Sequence, residues 1–566
     1  MANSINEILR KATTDYLAAM NRNAPPLPSV TEQDLLTNMK HDIQSENAIR
    51  TQAHEPKLKV PDKLAPVQIA EIVAYFYPIY CIRTGGEGSD RSYDLLALYQ
   101  SQGPNEGIYV TDDETIRALL RQYNYTITSH EVAECITVLR EIVPRKERCH
   151  DRNLIAVNNG IFDYDTKTLL PFTPDLVFMS KSRVNYIQNP TNPIIHNDED
   201  GTDWDVESWM KELSDDPEVV NLLWEVLGAI IRPLVPWNKS AWFYSETGNN
   251  GKGTLCELMR QLCGEGSYAS VPLADMGKDF ALEPLTRASA IIVDENDVGT
   301  FIDKAANVKA IITNDVLPIN RKFKTPIAFK FYGFMVQCLN EMPKVKDKSD
   351  SFFRRQLFIP FTKCFTGIER KYIKADYLHR SDVLEYVLHR VLHMDYYALS
   401  EPDACKKALA EYRDYNDPVR QFLDDILTEV KWDFLPFTLL YQMYQAWFNQ
   451  YVPSGKIQSR NTFINDIVQA LMKNTQWECR DKTKAVRMSK MMTACEPLLE
   501  KYNLKDWMNP KYANKFTASM EDKCTPAPGQ YNSLRYRGIN RRFATTNPNQ
   551  PLWIEDEDED ETENDG

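Results

Sequence analysis

The sequence predicts an α/β fold, with a smaller α+β domain ahead of it and a helical, basic module behind. Three observations carry that prediction. Ala241-Trp242-Phe243-Tyr244 is an apolar and aromatic run readable as a buried strand. Gly248-Asn249-Asn250-Gly251-Lys252-Gly253-Thr254 is a glycine-rich turn, and Leu255, Leu258, Met259 and Leu262 then recur at helical spacing. Two later apolar runs, Ala290-Ile291-Ile292-Val293 and Phe334-Met335-Val336-Gln337-Cys338-Leu339, read as further strands ending in polar residues.

Strand, glycine-rich turn and helix together form a phosphate cradle. Glycines let backbone N–H groups point at an anion, and the helix N-terminus adds partial positive charge. Lys252 is placed to reach the outer phosphates of a nucleotide, and a hydroxyl nearby would hold magnesium. The pattern departs from G-x-x-x-x-G-K-[ST] twice: Glu246 stands at the first glycine, and Gly253 stands where the hydroxyl belongs. Thr254, one residue on, is left to supply it.

The acids for hydrolysis follow at a suitable remove. Asp294-Glu295 closes the run from Ala290, so that Asp294 would hold magnesium and Glu295 would polarise the attacking water. Asn340, at the end of the run from Phe334, is placed to sense the γ-phosphate or orient the water. Arg354 and Arg355 are candidates for an arginine reaching a neighbouring subunit's nucleotide, against the plainer reading of a solvated pair. Between these strands, Arg321-Lys322-Phe323-Lys324 reads as the tip of a basic, aromatic hairpin suited to nucleic-acid phosphates and bases. Taken alone it is more often a solvated loop.

Composition sets the frame. A chain of 566 residues suggests roughly three or four domains, and 43% hydrophobic content is ample for packed cores. No run approaches the ~18 apolar residues of a membrane span, and the N-terminus lacks a signal pattern. Eleven cysteines without a C-x-x-C pair argue for free thiols inside a cell rather than a disulfide framework. The net charge of −14 is unevenly placed: residues 555–565 hold nine acids, whereas residues 456–542 hold 17 Lys/Arg against 8 Asp/Glu. The acidic average therefore leaves nucleic acid open as a partner.

Residues 1–60 read as a flexible arm with a Pro-rich link, and 61–200 as a small α+β domain. That domain has helices expected over Ile69–Phe76, Asp113–Tyr123 and Val132–Val143 and a strand over Leu95–Tyr99. Asp163 and Asp165 resemble a two-metal carboxylate pair, but Asp165-Thr166-Lys167-Thr168 is also good turn chemistry for a hairpin. Asp216-Pro217-Glu218 caps a helix whose apolar face runs from Val219 to Ile230 and leads into the strand before the phosphate loop. The motor region is expected over 201–400. Beyond it, 415–505 reads as helices followed by a basic wing bearing Lys482, Lys484 and Arg487, a winged-helix-like DNA-binding module. Residues 506–566 read as an extended tail with a disordered acidic end.

The order of these motifs resembles superfamily 3 helicases, in the branch of phage, plasmid and mobile-element replication proteins called primase/helicases. The matching pieces are the phosphate loop, Asp294-Glu295, the basic hairpin, Asn340-Glu341-Met342-Pro343, Asp347-Lys348-Ser349, Arg354-Arg355 and Pro360-Phe361. Val157-Asn158-Asn159-Gly160-Ile161-Phe162-Asp163 resembles the segment before the motor. The resemblance spans about 145–500. It implies an AAA+-like domain assembling as a homo-oligomeric ring, expected to be a hexamer, with ATP and Mg2+ between subunits. Gly248 to Thr254 would bind the nucleotide, and Thr254 and Asp294 the metal. Lys322 and Lys324 would track single-stranded DNA 3′-to-5′ at a fork or replication origin, in the cytoplasm of a prokaryotic host, beside host replication proteins and no membrane. An origin-binding initiator that remodels DNA without processive unwinding, or a bifunctional primase-helicase, remain as alternatives.

Overall fold

The computed structural model describes residues 3–542, apart from 86–88, 199, 323, 346, 348, 452–456, 473, 480, 488–490 and 532–533 and the side chains of 325, 486 and 487. Phe323, the Arg487 side chain and the acidic tail thus lie outside the described residues. The chain divides into two compact units, residues 1–409 and 410–566.

The first unit opens with α1 (Ile5–Ala19), α2 (Pro28–Gln52) and α3 (Pro66–Phe76). The expected flexible arm is instead two helices packed on the domain. Ala12, Tyr16, Leu35 and Met39 share one core with Ile69, Ile72 and Val73. Only one apolar side chain per turn of α2 (Leu35, Met39, Ile43) is buried, a stripe too thin to stand out in a polar sequence. The same layer holds a sheet of β1 (Ile79–Ile82), β2 (Leu95–Tyr99), β3 (Tyr109–Val110) and, after α4 (Asp113–Tyr123) and α5 (Ser129–Ile142), β4 (Arg145–Lys146). Its order is β3-β2-β1-β4.

Next, β5 (Leu154–Val157), β6 (Gly160–Asp163) and β7 (Thr168–Leu170) form an antiparallel meander. Ile155, Val157, Phe162 and Tyr164 of this meander belong to the core of the parallel-sheet domain that follows, not that of the preceding domain. The boundary therefore falls near residue 150 rather than 200. After the short pair β8 (Ile195–His196) and β9 (Asp203–Trp204) come α6 (Val206–Glu212) and α7 (Pro217–Ile231). Asp216 caps α7 as its sequence predicts, its carboxylate accepting from the Glu218 amide at 2.9 Å.

The central domain is built on a five-stranded, wholly parallel sheet. It comprises β10 (Ser240–Tyr244), then after α8 (Lys252–Cys263) β11 (Tyr268–Ala269) and β12 (Ala290–Val293). Beyond β13 (Phe301–Ile302), α9 (Ala305–Ile312) and the hairpin β14 (Val316–Arg321) and β15 (Lys324–Lys330) comes β16 (Phe334–Leu339). Following β17 (Lys344–Val345) and α10 (Asp350–Phe353), β18 (Gln356–Pro360) completes the sheet. The order is β11-β12-β16-β10-β18. Helices α11 (Lys371–Ala375) and α12 (Ser381–Leu392) follow, and α12 packs against α7. Buried on both faces, the central strands read as unbroken apolar runs.

The second unit follows α13 (Asp403–Tyr415) with α14 (Pro418–Glu429), β19 (Phe434–Pro436), α15 (Phe437–Tyr451), α16 (Arg460–Leu471), β20 (Trp477–Glu478) and β21 (Val486–Arg487). It ends with α17 (Leu498–Lys501), α18 (Met520–Cys524), β22 (Arg535–Tyr536) and β23 (Gly538–Arg541). Strand β23 lies between β19 and β20, antiparallel to both. The expected extended tail is thus integral as far as residue 541: Trp507, Cys524, Tyr531 and Ile539 sit in the same core as Phe422, Trp447 and Phe463.

Candidate functional site

Parallel strands expose their carboxyl ends along one edge, where ligands of open α/β sheets bind. Here β10 delivers the glycine loop to that edge, its neighbour β16 delivers Asn340, and β12 beyond delivers Asp294 and Glu295.

Asn249 (φ 54°) and Gly251 (φ 87°) both take left-handed backbone, turning the chain into α8. The left-handed φ is what favours glycine at 251, and a Cβ there would also stand 2.6 Å from Leu213 Cδ2 and push that side-chain tip aside. Helix α8 then presents one stripe of residues four apart, and each meets a partner on the strands. Lys252 Nζ donates to Asn340 Oδ1 at 2.9 Å and to the Ser245 carbonyl at 3.4 Å. Cys256 Sγ lies 3.3 Å from Cys338 Sγ. Arg260 Nη2 lies 3.0 Å from Asp294 Oδ1.

Lys252 is only 5% exposed, and burial lowers its pKa. Its hydrogen-bond partners are a carboxamide and a carbonyl, with no carboxylate among them. A buried ammonium without a counter-ion among the described residues, beside a left-handed loop at a helix N-terminus, fits a polyphosphate. Thr254 sits in the first turn of α8, half-buried, while Asp294 engages Arg260 and Glu295 is exposed. The next residue, Asn296, is a brace that sequence reading missed. Buried, it accepts from the Leu273 amide and donates to Gln337 Oε1 and the Cys338 carbonyl, each at 3.0 Å.

The two arginines differ. Arg355 folds back to donate to the Ser351 carbonyl of the preceding helix α10. Arg354 is exposed and makes no side-chain hydrogen bond or ion pair with any described residue. The expected hairpin forms from β14 and β15, but its basic residues are not equally presented. Arg321 is 8% exposed, and Lys324 Nζ pairs with Asp113 of α4 at 2.6 Å. The Lys322 amide lies 3.4 Å from Glu283 Oε2. In the second unit Lys482 Nζ donates to Asn465 of α16 at 2.8 Å, Lys484 is exposed, and Arg487 pairs through its backbone with Arg535.

Asp163 and Asp165 are turn-formers. Asp163 Oδ1 accepts from the amides of Asp165 and Thr166, and Asp165 accepts from Asn153 and Tyr397. No cluster of three or more His, Cys, Asp or Glu suited to a metal occurs among the described residues, and no helix there is long and apolar enough to cross a membrane.

Three family models match successive segments. Residues 6–215 match "D5 N terminal like", 243–355 a family of unknown function (DUF5906), and 414–509 "Poxvirus D5 protein-like". Both flanks are D5-like. Between these D5-like flanks, the DUF5906 segment contains Lys252, Asp294, Asn340 and both arginines. The "Putative helicase L207/L206" of Acanthamoeba polyphaga mimivirus is 26% identical over 277 residues, 45% of this chain. The match spans about a quarter (26%) of that relative's own length. Among solved structures, the apo C-terminal region (305-718) of NrS-1 aligns over 76% of this chain and 98% of its own at 13% identity, with a TM-score of 0.39. The A form of that region aligns over 72% and 86%, at 13% identity and a TM-score of 0.38.

Proposed function

We propose that this D5-like chain is an ATP-dependent replicative DNA helicase of a viral, phage, plasmid or other mobile element. The observation that carries the reading is Lys252, buried without a counter-ion among the described residues at the carboxyl edge of the parallel sheet, with Asn340 on its ammonium and the Asp294-Glu295 strand beyond. Lys252 and the loop amides bind the β- and γ-phosphates. Thr254 and Asp294 hold Mg2+, which when bound neutralises charge developing on the transferred phosphoryl oxygens. Glu295 orients the water, and Asn340 reports the γ-phosphate to the strand that also braces Lys252.

The subunits assemble as a ring, a hexamer in this reading, and Arg354 reaches the neighbouring nucleotide. Its exposure and lack of a described partner favour it over Arg355. Lys322 and Lys324 contact single-stranded DNA and move along it 3′-to-5′, Lys324 after leaving Asp113. In the second unit α14, β19, α15, α16, β20 and β23 follow the order of a winged helix, with β23 central, when β21, α17, α18 and β22 are read as an insertion between the last two strands. This supports a DNA-binding role for Lys482, Lys484 and Arg487 at the fork or origin.

Strand displacement on a forked duplex with ATP and Mg2+, beside Lys252→Ala, tests the proposal. ATP-dependent separation by the wild type alone is expected. ATP hydrolysis and DNA binding without separation would replace the helicase by an origin-remodelling initiator, and an active Lys252→Ala protein would overturn the site.

A further inference from the structure

A cavity of about 220 Å3 opens beside the phosphate loop. Gly251 and Thr254 form one wall, and Trp209, Leu213, Phe365 and Ile373 give it apolar sides. Whole-ligand pockets run to roughly 300–1,000 Å3, so this space suits one end of a nucleotide rather than all of it. The wall is tied to the loop. The Phe365 amide donates to the Asn249 carbonyl at 2.7 Å, and Asn249 Nδ2 donates to Thr366 Oγ1 at 3.3 Å and Glu369 Oε1 at 3.1 Å. Any movement of the loop is thereby felt by the segment after β18.

Charge on the rim is uneven. Arg370 pairs with Glu212. Lys374 has no side-chain hydrogen bond or ion pair with a described residue, and its Nζ lies 3.8 Å from where a Cβ on Gly253 would stand. An uncommitted ammonium therefore hangs over the first turn of α8, at the mouth of an apolar cavity.

We propose that this cavity holds the base and sugar of the nucleoside triphosphate whose phosphates lie on the loop, and that Lys374 is a second cation on those phosphates, from the same chain. The inference rests on the nucleotide reading above and adds the nucleoside subsite to it.

Calorimetric titration with ATP and, separately, with inorganic tripolyphosphate tests it. Phe365→Ala removes an apolar wall. Ile368→Trp, at a lining position that is 68% exposed, fills the cavity without disturbing the core. Both should weaken ATP by about tenfold, the upper worth of an aromatic contact, and leave tripolyphosphate unchanged. Lys374→Gln should weaken both ligands, as should Lys252→Ala. Equal loss of both ligands in Phe365→Ala and Ile368→Trp, or no loss in either, would overturn the subsite. Unchanged tripolyphosphate binding by Lys374→Gln would remove the second cation. A wild type that binds neither ligand would overturn the nucleotide reading and the subsite together, whereas loss confined to Lys252→Ala would spare the former alone.

Discussion

Arg260 holds Asp294. The guanidinium of an α8 residue, 17% exposed, lies 3.0 Å from the carboxylate that the proposed mechanism assigns to magnesium. A cation already on that carboxylate competes with the metal. Arg260→Gln should therefore lower the Mn2+ concentration needed for half-saturation, read by electron paramagnetic resonance with ATP present. The expected factor is about two to five, the worth of a partly exposed ion pair near ~0.5–1 kcal/mol. Weaker Mn2+ binding in the variant would mean that Arg260 supports the metal site instead.

Asn340 gives Lys252 a neutral partner, and that neutrality matters. Asn340→Asp would place a carboxylate 2.9 Å from a buried ammonium and satisfy it internally. ATP affinity should fall by at least about tenfold, or ~1.4 kcal/mol. Asn340→Ala should keep ATP binding and lose turnover. Equal affinity in wild type and Asn340→Asp, by titration, would detach Asn340 from the nucleotide.

Arg354 and Arg355 should separate cleanly. Arg355→Ala loses the bond to the Ser351 carbonyl and should lower the melting temperature. Arg354→Ala should leave it unchanged while reducing ATP turnover by about 10³-fold, as removal of a trans-acting arginine does. Mixing Arg354→Ala with Lys252→Ala subunits should restore part of the turnover, because some interfaces then pair an intact loop with an intact arginine. No recovery at any mixing ratio would place Arg354 outside the neighbouring site.

The helix α5 carries a pH-dependent cap. Glu131 accepts from the Lys63 ammonium at 2.5 Å and from the Thr128 amide and hydroxyl, and these contacts pull its carboxyl down to about 2. A depressed carboxyl contributes stability that is complete above its unfolded value of 4.5 and vanishes as pH falls towards about 2. Glu131→Gln should lower the melting temperature by a constant amount from pH 7 down to about 5, and the difference should close by about pH 2. A constant difference across that range would show that the charge is irrelevant to the cap.

The sequence made the central sheet legible because its strands are mostly apolar and lead into chemically marked residues: Gly251 and Lys252, Asp294, Asn340. The stripe Lys252, Cys256, Arg260 was there to be seen at a spacing of four, the repeat of a helix face. It passed unnoticed because helix reading follows apolar residues, and Leu255, Leu258, Met259 and Leu262 mark an adjoining buried face. Phe365 and Lys374 carry no motif at all. They reach the loop only because β18 runs beside β10, a long-range pairing that no local window contains. Residues 506–541 misled for a related reason: β23 is four residues long and its partners lie some 60 to 110 positions earlier.

That last strand has a consequence for how the second unit comes into being. Strand β23 is the middle of its sheet, so β19 and β20 have no shared neighbour until Gly538–Arg541 arrives. On a ribosome adding ~5–20 residues per second, the segment from α14 onward must wait several seconds before Trp432 meets Tyr531 and Trp477 meets Arg541. Closure is then a single late event, pairing the newest residues with some of the oldest of the unit. The nascent unit is correspondingly a natural client for chaperones that shield apolar surface.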